Sequence, residues 1–169
     1  TPPDDERQLT LFKHTLKTMA EAGYVQYEIS NFAKSGKKCR HNINYWNNGN
    51  YIGLGAGASS YWNGKRRKNI NSPVKYIEQT LKTGQAVDFE ESPDQATSIG
   101  ETMMLGLRLS DGINLGDFEN RYGVSLSEQF PKQLKYLKSE DLVEMNNSHI
   151  RLSKKGFFLA DSVILQFMP

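Results

Sequence analysis

The densest group of chemically capable residues in this chain is the stretch Cys39-Arg-His-Asn-Ile-Asn-Tyr-Trp46. One cysteine and one histidine cannot complete the tetrahedral ligand set of a zinc site. Heme iron needs only one neutral imidazole, with aromatic side chains around the macrocycle and Arg or Lys beside its propionates. The stretch supplies His41 for the iron, Tyr45 and Trp46 for walls, and Arg40 for a propionate. From composition alone, an ordered loop with a hydrogen-bonded histidine remains an open alternative.

Two further motifs flank this stretch. Glu28, Ser30 and Asn31 follow Tyr27 at the predicted carboxyl end of a strand, which is the edge where parallel α/β sheets gather ligands. The alternating glycines of Gly53-Leu-Gly-Ala-Gly-Ala58 lie inside a second predicted strand and differ from the Gly-x-Gly-x-x-Gly dinucleotide fingerprint. A strand face without side chains lets a ligand or a neighbouring helix approach the backbone closely. Either motif can also be plain structure.

Charge and cysteine content narrow the class of protein. The 169 residues carry a net charge of +2, but residues 1–85 contain 13 Lys/Arg against 6 Asp/Glu, and residues 86–169 contain 8 against 13. The basic half favours an anionic partner, with a solvated surface that lacks acids as the alternative. The single Cys39 excludes an intrachain disulfide and favours a reducing cytoplasm. No run of roughly 18 apolar residues is present, so no membrane span is expected.

The first half of the chain has the rhythm of an α/β layer. The pattern predicts an amphipathic helix ending before Gly23, an alternating strand at 25–29, an uncharged buried strand at 51–60, and a helix from Pro73 to Gly84. Two strands cannot form a stable sheet alone. Residues 1–85 are therefore predicted to be part of an α/β domain, and the polar segment 85–96 is predicted to be a linker.

The second half has a different pattern. It predicts three helices, a β-hairpin around Asn146-Asn147 and a closing helix capped by Ser153, which is the order of a winged-helix domain. Its third helix carries Lys132, Lys135 and Lys138, so a nucleic-acid-binding winged-helix module is an alternative function. The acidic charge of this half argues against nucleic acid, because phosphate contacts dominate the affinity for DNA.

Three ordered motifs together resemble one family. Tyr27-Glu-Ile-Ser-Asn-Phe-Ala33, Cys39-Arg-His-Asn-Ile-Asn-Tyr-Trp46 and Tyr51-Ile-Gly-Leu-Gly-Ala-Gly-Ala58 are similar to the radical SAM proteins of the oxygen-independent coproporphyrinogen III oxidase type, especially their heme-chaperone branch (HemW type). Glu101-Thr-Met-Met-Leu-Gly-Leu-Arg108 and the segment from Gly112 to Gly123 resemble the C-terminal domain of that family. The resemblance covers nearly the whole chain.

The resemblance implies a fold and cofactors. It implies that residues 1–88 are the end of a partial (β/α)₆ radical SAM barrel, followed at 89–169 by the winged-helix-like domain, so that the fold class is α/β plus α+β. In the family the barrel binds S-adenosylmethionine (SAM) and a [4Fe–4S] cluster held by Cys-x₃-Cys-x₂-Cys. That cysteine motif is absent from this sequence, which is expected to be the C-terminal portion of a longer protein and inactive alone.

The resemblance also implies site residues. The His-Asn-x-x-Tyr-Trp pattern makes His41 the expected iron ligand of a heme. The other expected heme-binding residues are Arg40, Asn42, Tyr45 and Trp46. The expected SAM-binding residues are Glu28, Asn31, Gly55, Ala56, Gly57, Ala58 and Ser59. No residue is assigned a catalytic role, because in radical SAM chemistry the cofactor carries the reaction.

The function expected from this resemblance is heme binding and delivery to a recipient protein. The alternative within the family is oxidative decarboxylation of coproporphyrinogen III, and a scaffold without a ligand of its own is a blander one. We favour the chaperone function because the His-Asn-x-x-Tyr-Trp pattern is characteristic of the heme-chaperone branch. A barrel cut short is also expected to self-associate through its exposed apolar surface.

Overall fold

The computed structural model of the chain describes residues 3–169, so the first two residues of the predicted first domain lie outside it. The chain has mixed α/β content. In the first part the elements are α1 (Asp5–Glu21), β1 (Val25–Glu28), β2 (Asn31–Ala33), α2 (Arg40–Trp46), β3 (Ser59–Trp62), β4 (Lys65–Asn69), α3 (Pro73–Thr83) and β5 (Val87–Glu91). In the second part they are α4 (Gln95–Gly106), β6 (Ile113–Asn114), α5 (Leu115–Tyr122), α6 (Leu126–Gln129), α7 (Pro131–Ser139), β7 (Val143–Met145), β8 (His149–Leu152), α8 (Lys154–Phe157) and α9 (Ala160–Leu165).

The strands form three small antiparallel sheets, β1-β2, β3-β4-β5 and β6-β8-β7. Parallel pairing, which the α/β layer predicted for residues 1–85 requires, is absent among residues 3–169. The physical reason is visible at β1, where Glu28 pairs with Asn31 across a two-residue turn. A parallel partner needs a crossover of a dozen or more residues, whereas so short a turn can only return the chain as a hairpin.

The predicted strand at 51–60 is wrong. Gly55 and Gly57 have positive φ values of 103° and 71°, which bend the segment into a loop, and β3 begins only at Ser59. The side-chain nitrogen of Asn69 holds this loop by donating to the carbonyl of Gly55 at 2.9 Å. The segment is not buried on both faces either, since Leu54 is 87% exposed. We call residues 53–59 the glycine loop below.

The predicted linker at 85–96 is also wrong, because it contains strand β5. This strand pairs with β4, and opposite charges face each other across the pair. Arg67 lies opposite Glu90, and Arg66 lies opposite Glu91. Arg67 Nε lies 2.5 Å from Glu90 Oε2, and Arg66 Nη1 lies 3.0 Å from Glu91 Oε1. Opposite charges on facing positions stabilise an antiparallel pair. Glutamates of the chain itself therefore neutralise part of the positive charge for which an anionic partner is expected.

The hydrophobic core lies in the second part of the chain. Its fully buried members include Met103, Leu107, Leu137, Ile150 and Val163. In the first part, by contrast, α1, α2 and α3 bury none of their residues completely. The apolar side of α3 is open, with Leu81 84% exposed. Self-association through such a surface stays a prediction.

Most elements predicted for the second part are confirmed individually. Helix α5 begins after Asn114, whose side chain accepts from the N–H of Asp117, and ends at Gly123 with a φ of 70°. The hairpin β7-β8 turns at the predicted asparagines, where Asn146 Oδ1 accepts from the backbone of Ser148. The single closing helix is wrong: the chain leaves helical angles at Leu159, with φ −118° and ψ 24°, so that α8 and α9 are separate.

The start of α4 makes stability depend on pH. Asp94 caps this helix and accepts from the backbone N–H of Thr97 at 2.8 Å, and this bond lowers the pKa of Asp94. A lowered pKa adds stability that is complete above the ordinary carboxyl pKa of about 4 and is lost as the pH falls through the lowered value. Asparagine caps equally well but does not titrate. We expect Asp94→Asn to show a smaller drop in melting temperature than the wild type between about pH 7 and about pH 3.

The exposed Asp88, in β5, is the matched control for this prediction. Asp88→Asn should leave the acid-induced drop in melting temperature unchanged. Equal behaviour of the two variants in thermal denaturation would contradict the role of the cap.

No helix within residues 3–169 is long and apolar enough to cross a membrane.

Candidate functional site

The stretch around His41 is a short helix, α2, rather than a loop. Cys39 precedes it in an extended conformation, and the helix runs from Arg40 to Trp46. Residues four apart share a helix face, and the rings of His41 and Tyr45 meet edge to face with centroids 4.8 Å apart. Tyr45 in turn contacts Tyr51 at 4.5 Å. The structure thus lines up an imidazole and two phenol rings, which we call the aromatic row.

The imidazole end of the aromatic row faces solvent. His41 and Arg40 are exposed, whereas Asn42 and Tyr45 are half-buried. Lys38, just before the helix, pairs with Asp111 at 2.8 Å and is not fully available to an anion. Arg40 makes no ion pair among the residues that the structure describes. An exposed imidazole with a neighbouring guanidinium can meet a flat anionic metal complex without a rearrangement of the core.

The far end of the aromatic row is fixed by the β3-β4 hairpin. Tyr51 exchanges two backbone hydrogen bonds with Tyr61 of β3, at 2.7 and 3.0 Å. Burial, followed by the neighbouring Tyr45, raises the pKa of Tyr51, and Arg66 opposes this shift. Tyr45, Tyr51 and Tyr61 line a cavity of about 230 Å³, at which Arg66 also pairs with Glu101. The Tyr51 phenol is therefore protonated at neutral pH.

Trp46 lies apart from the aromatic row. It is five residues after His41, which places it roughly 140° around the helix. Its ring packs under the guanidinium of Arg108, whose Cζ is 4.7 Å from the ring centroid. The side chain lines a separate cavity of about 380 Å³ between α2, β6 and α5. The structure therefore brings together His41 and Tyr45 but not Trp46.

Arg108 also reaches Glu28, one of the expected SAM residues. Glu28 is completely buried in the β1-β2 hairpin. Its Oε1 accepts from the backbone N–H of Ser30 at 2.8 Å and from the side-chain amide of Asn31 at 2.5 Å. Its Oε2 lies 3.9 Å from Arg108 Nη2 and has no hydrogen-bond partner among residues 3–169. The buried Glu28 thus forms a cluster with the half-buried Asn31 and Arg108.

The other expected SAM residues lie in the glycine loop. Gly57 N donates to the carbonyl of Ile70, and Gly53 N donates to Ser60 Oγ at 2.9 Å, so the β3-β4 hairpin holds the loop. Ala56 and Ser59 are exposed. Within the described part of the chain, no hydrogen bond joins the loop to Glu28 or Asn31. The two sets of SAM residues are therefore not joined by hydrogen bonds in the described part of the chain.

The chain does not fit a cysteine-held iron–sulfur cluster. Cys39 is the one cysteine of the sequence, whereas such a cluster takes several. Between residues 3 and 169 no group of three or more His, Cys, Asp or Glu side chains is placed to hold a metal ion. A single imidazole such as that of His41 could hold a porphyrin-bound iron without such a group.

Sequence reasoning missed how α2 is held. Asn48, directly after the helix, donates to Thr102 of α4 at 3.1 Å in a buried contact. Arg121 of α5 donates to the carbonyl of Asn47 at 3.4 Å. The sequence offered one signal, since Thr102 and Arg108 both lie in the stretch that resembles the family's C-terminal domain, but the stretch says nothing of their partners.

Comparison with known proteins shows which proteins this chain resembles. A family model described as the HemN C-terminal domain matches residues 94–159. The chain is 33% identical over 166 residues to the protein "Heme chaperone HemW" of Lactococcus lactis and 34% identical over 166 residues to that of Bacillus subtilis. These alignments take in 98% of the chain but 43% and 44% of the relatives, so the chain spans less than half of their length.

A solved structure shows the same fold. The Escherichia coli coproporphyrinogen III oxidase (HemN), described as a radical SAM enzyme, matches with a TM-score of 0.73 at 17% identity. The match covers 98% of the chain and 42% of the enzyme.

Proposed function

Because this chain belongs to the HemW heme chaperone family and matches the HemN C-terminal domain over residues 94–159, we propose that it binds heme through His41 for delivery to another protein. The observation that carries this proposal is the aromatic row on α2, which presents an exposed imidazole beside the ring of Tyr45. One neutral imidazole suffices to ligate heme iron.

Each residue of the row has a defined part in this proposal. A ring nitrogen of His41 binds the iron, and Tyr45 and Tyr51 flank the macrocycle on one side. Tyrosine ligates heme iron in some proteins, but it does so as the anion. Burial raises the pKa of Tyr51, which disfavours the anionic form that this phenol would need as a ligand. Arg40, exposed one residue before His41, pairs with a propionate, and the half-buried Asn42 lies beside them.

Delivery suits a ligand held on an open surface. His41 lies on the exposed side of α2, so a recipient protein can approach the iron without opening the core. The alternative is oxidative decarboxylation of coproporphyrinogen III, a reaction that the cofactor of a longer protein would carry. We keep the chaperone function because the relatives at 33% and 34% identity are named heme chaperones. We set it in a reducing cytoplasm, in keeping with the lone Cys39.

Two finer points remain parts of the proposal. Glu28, Asn31 and the backbone of Gly55, Ala56, Gly57, Ala58 and Ser59 contribute to a SAM site in the longer proteins of the family. The observation that supports this SAM site is the open space beside the backbone of Gly55, where an added Cβ would meet nothing within 4 Å. The order α4, β6, α5, α6, α7, β7, β8 supports a winged-helix-like domain within the predicted range 89–169, after strand β5.

Titration of the chain with hemin tests the proposed function. We expect a saturable shift of the Soret band at one hemin per chain. Iron-free protoporphyrin IX is the control, because it keeps the ring and the propionates but offers no iron to the imidazole. Its binding should be much weaker. A hemin titration without saturation, or equal binding of the two porphyrins, would contradict ligation by His41.

A further inference from the structure

We propose that Arg108 is a positioning residue for the heme-binding helix, acting through Trp46, so that the HemN C-terminal domain sets the place of His41. This inference rests on the proposed heme-binding function. It also gives Trp46 a part different from the pocket wall that the sequence suggests. The contacts of three side chains, Glu28, Arg108 and Trp46, carry it.

The first step is the charge on Glu28. This carboxylate is completely buried, and its Oε2 has no hydrogen-bond partner in the described part of the chain. A buried charge is strongly unfavourable unless an opposite charge is near. Within residues 3–169, the residue that forms an ion pair with Glu28 is Arg108, whose Nη2 lies 3.9 Å from Oε2. The guanidinium is therefore held on the Glu28 side by electrostatic attraction.

The second step is the anchoring of Arg108 by its own backbone. Its carbonyl accepts from the N–H of Ile29 at 3.1 Å, and the next residues, Leu109 and Ser110, bridge to Glu28 and Tyr27 of β1. The main chain at 108–110 thus lies along the edge of the β1-β2 hairpin. With its backbone hydrogen-bonded and its Nη2 3.9 Å from Glu28 Oε2, Arg108 presents a planar group next to Trp46.

The third step is the contact with Trp46. The guanidinium centre lies 4.7 Å from the indole centroid, which is cation–π distance. The indole nitrogen is buried and makes no hydrogen bond among residues 3–169. No hydrogen bond orients the ring, so the cation–π contact with Arg108 is the directional contact that it makes among the described residues. Trp46 is the last residue of α2, so the ring fixes the rotation of the helix about its axis and with it the direction of His41.

Other contacts also hold α2. Lys38 pairs with Asp111 before the helix, and Asn48 donates to Thr102 after it. Within the helix, Tyr45 contacts Tyr51. The contact of Trp46 differs from that of Tyr45 because its partner, Arg108, belongs to the segment that matches the HemN C-terminal domain. We therefore expect the loss of this contact to uncouple that domain from the helix that carries His41.

The test is a double-mutant cycle read out by hemin affinity. Arg108→Lys keeps a cation for Glu28 but loses the planar stack, and Trp46→Leu removes the ring. Partners that orient a metal-bound histidine are worth about 10–100-fold in affinity. We expect each single variant to weaken hemin binding about tenfold. The double variant should bind no more weakly than the poorer single one, because both remove the same contact.

Two readouts separate positioning from a general loss of structure. In both single variants, the spectrum of bound ferric hemin should no longer show the histidine-ligated form. Thermal denaturation should still show a cooperative transition. Arg7→Lys, the same substitution on the exposed surface of α1, is the matched control and should bind hemin like the wild type. If Arg108→Lys does not fold, Trp46→Leu and Trp46→Phe test the contact from its other side.

The outcomes distinguish the two proposals. Wild-type affinity in Arg108→Lys and Trp46→Leu, with binding lost in a His41 variant, would overturn the positioning role and leave heme binding intact. Additive losses in the double variant would also overturn it, because the two residues would then act separately. A wild-type chain that does not bind hemin would remove the proposed function and this inference together.

Discussion

Replacement of His41 by alanine is expected to weaken hemin binding by more than about 100-fold, since even the partners of a metal-bound histidine are worth about 10–100-fold. The variant removes the imidazole at the exposed end of the aromatic row and leaves Tyr45 and Tyr51 in contact. The ferric heme that still associates should show the spectrum of stacked, unligated hemin. Absorbance titration and the ferric spectrum measure both effects.

His14→Ala is the matched control for this experiment. His14 is an exposed histidine of α1, away from the aromatic row, so its loss should not change hemin affinity. The fold should persist in both variants, because neither side chain is buried. Equal affinities of the His41 and His14 variants would show that the iron is bound elsewhere.

Local chemistry explains why much of the second half could be predicted from sequence. A helix such as α5 is bounded by signals of its own, with Asn114 capping its start and Gly123 its end. The turn of the β7-β8 hairpin is likewise set by Asn146, which accepts from backbone groups directly after it. Where a residue and the group that it satisfies are neighbours in sequence, the pattern contains the information that decides the structure.

The failures in the first half come from contacts between distant residues. Read alone, the polar segment 85–96 has the composition of a linker, and it is a strand because β4 supplies Arg66 and Arg67 opposite its glutamates. The glycine loop has the composition of a buried strand, and Asn69 holds it in its folded-back form. Neither partner can be identified from the segment that it shapes.

The same distinction between local signals and distant contacts applies to the candidate site. The residue types and order of His41, Tyr45 and Trp46 could be read from the sequence, and the heme chemistry that they allow could be inferred from those types. The separation of Trp46 from the other two was not, because it depends on the stretch being helical. The partner of Trp46, Arg108, comes from a different element far along the chain. What the sequence could not supply is therefore the support of the site rather than its chemistry.

That support depends on the turn between α4 and β6, which makes Gly112 sensitive to substitution. Gly112 has a φ of 74°, and an added Cβ would stand 2.0 Å from the carbonyl oxygen of Ile150 in β8. A left-handed backbone costs a non-glycine residue about 1–2 kcal/mol, and forcing extra atoms into a packed region costs about 1–3 kcal/mol more. We expect Gly112→Ala to lower the free energy of unfolding by about 2–5 kcal/mol.

Gly123→Ala separates the two contributions to this cost. Gly123 has nearly the same φ, 70°, but nothing lies within 4 Å of its added Cβ. It should therefore show the backbone cost alone, about 1–2 kcal/mol. Urea denaturation measures both variants, and a shift of the midpoint without a change of slope identifies a change in stability. Equal losses of stability in the two variants would mean that β8 yields to the methyl group and that the close approach to Ile150 costs nothing.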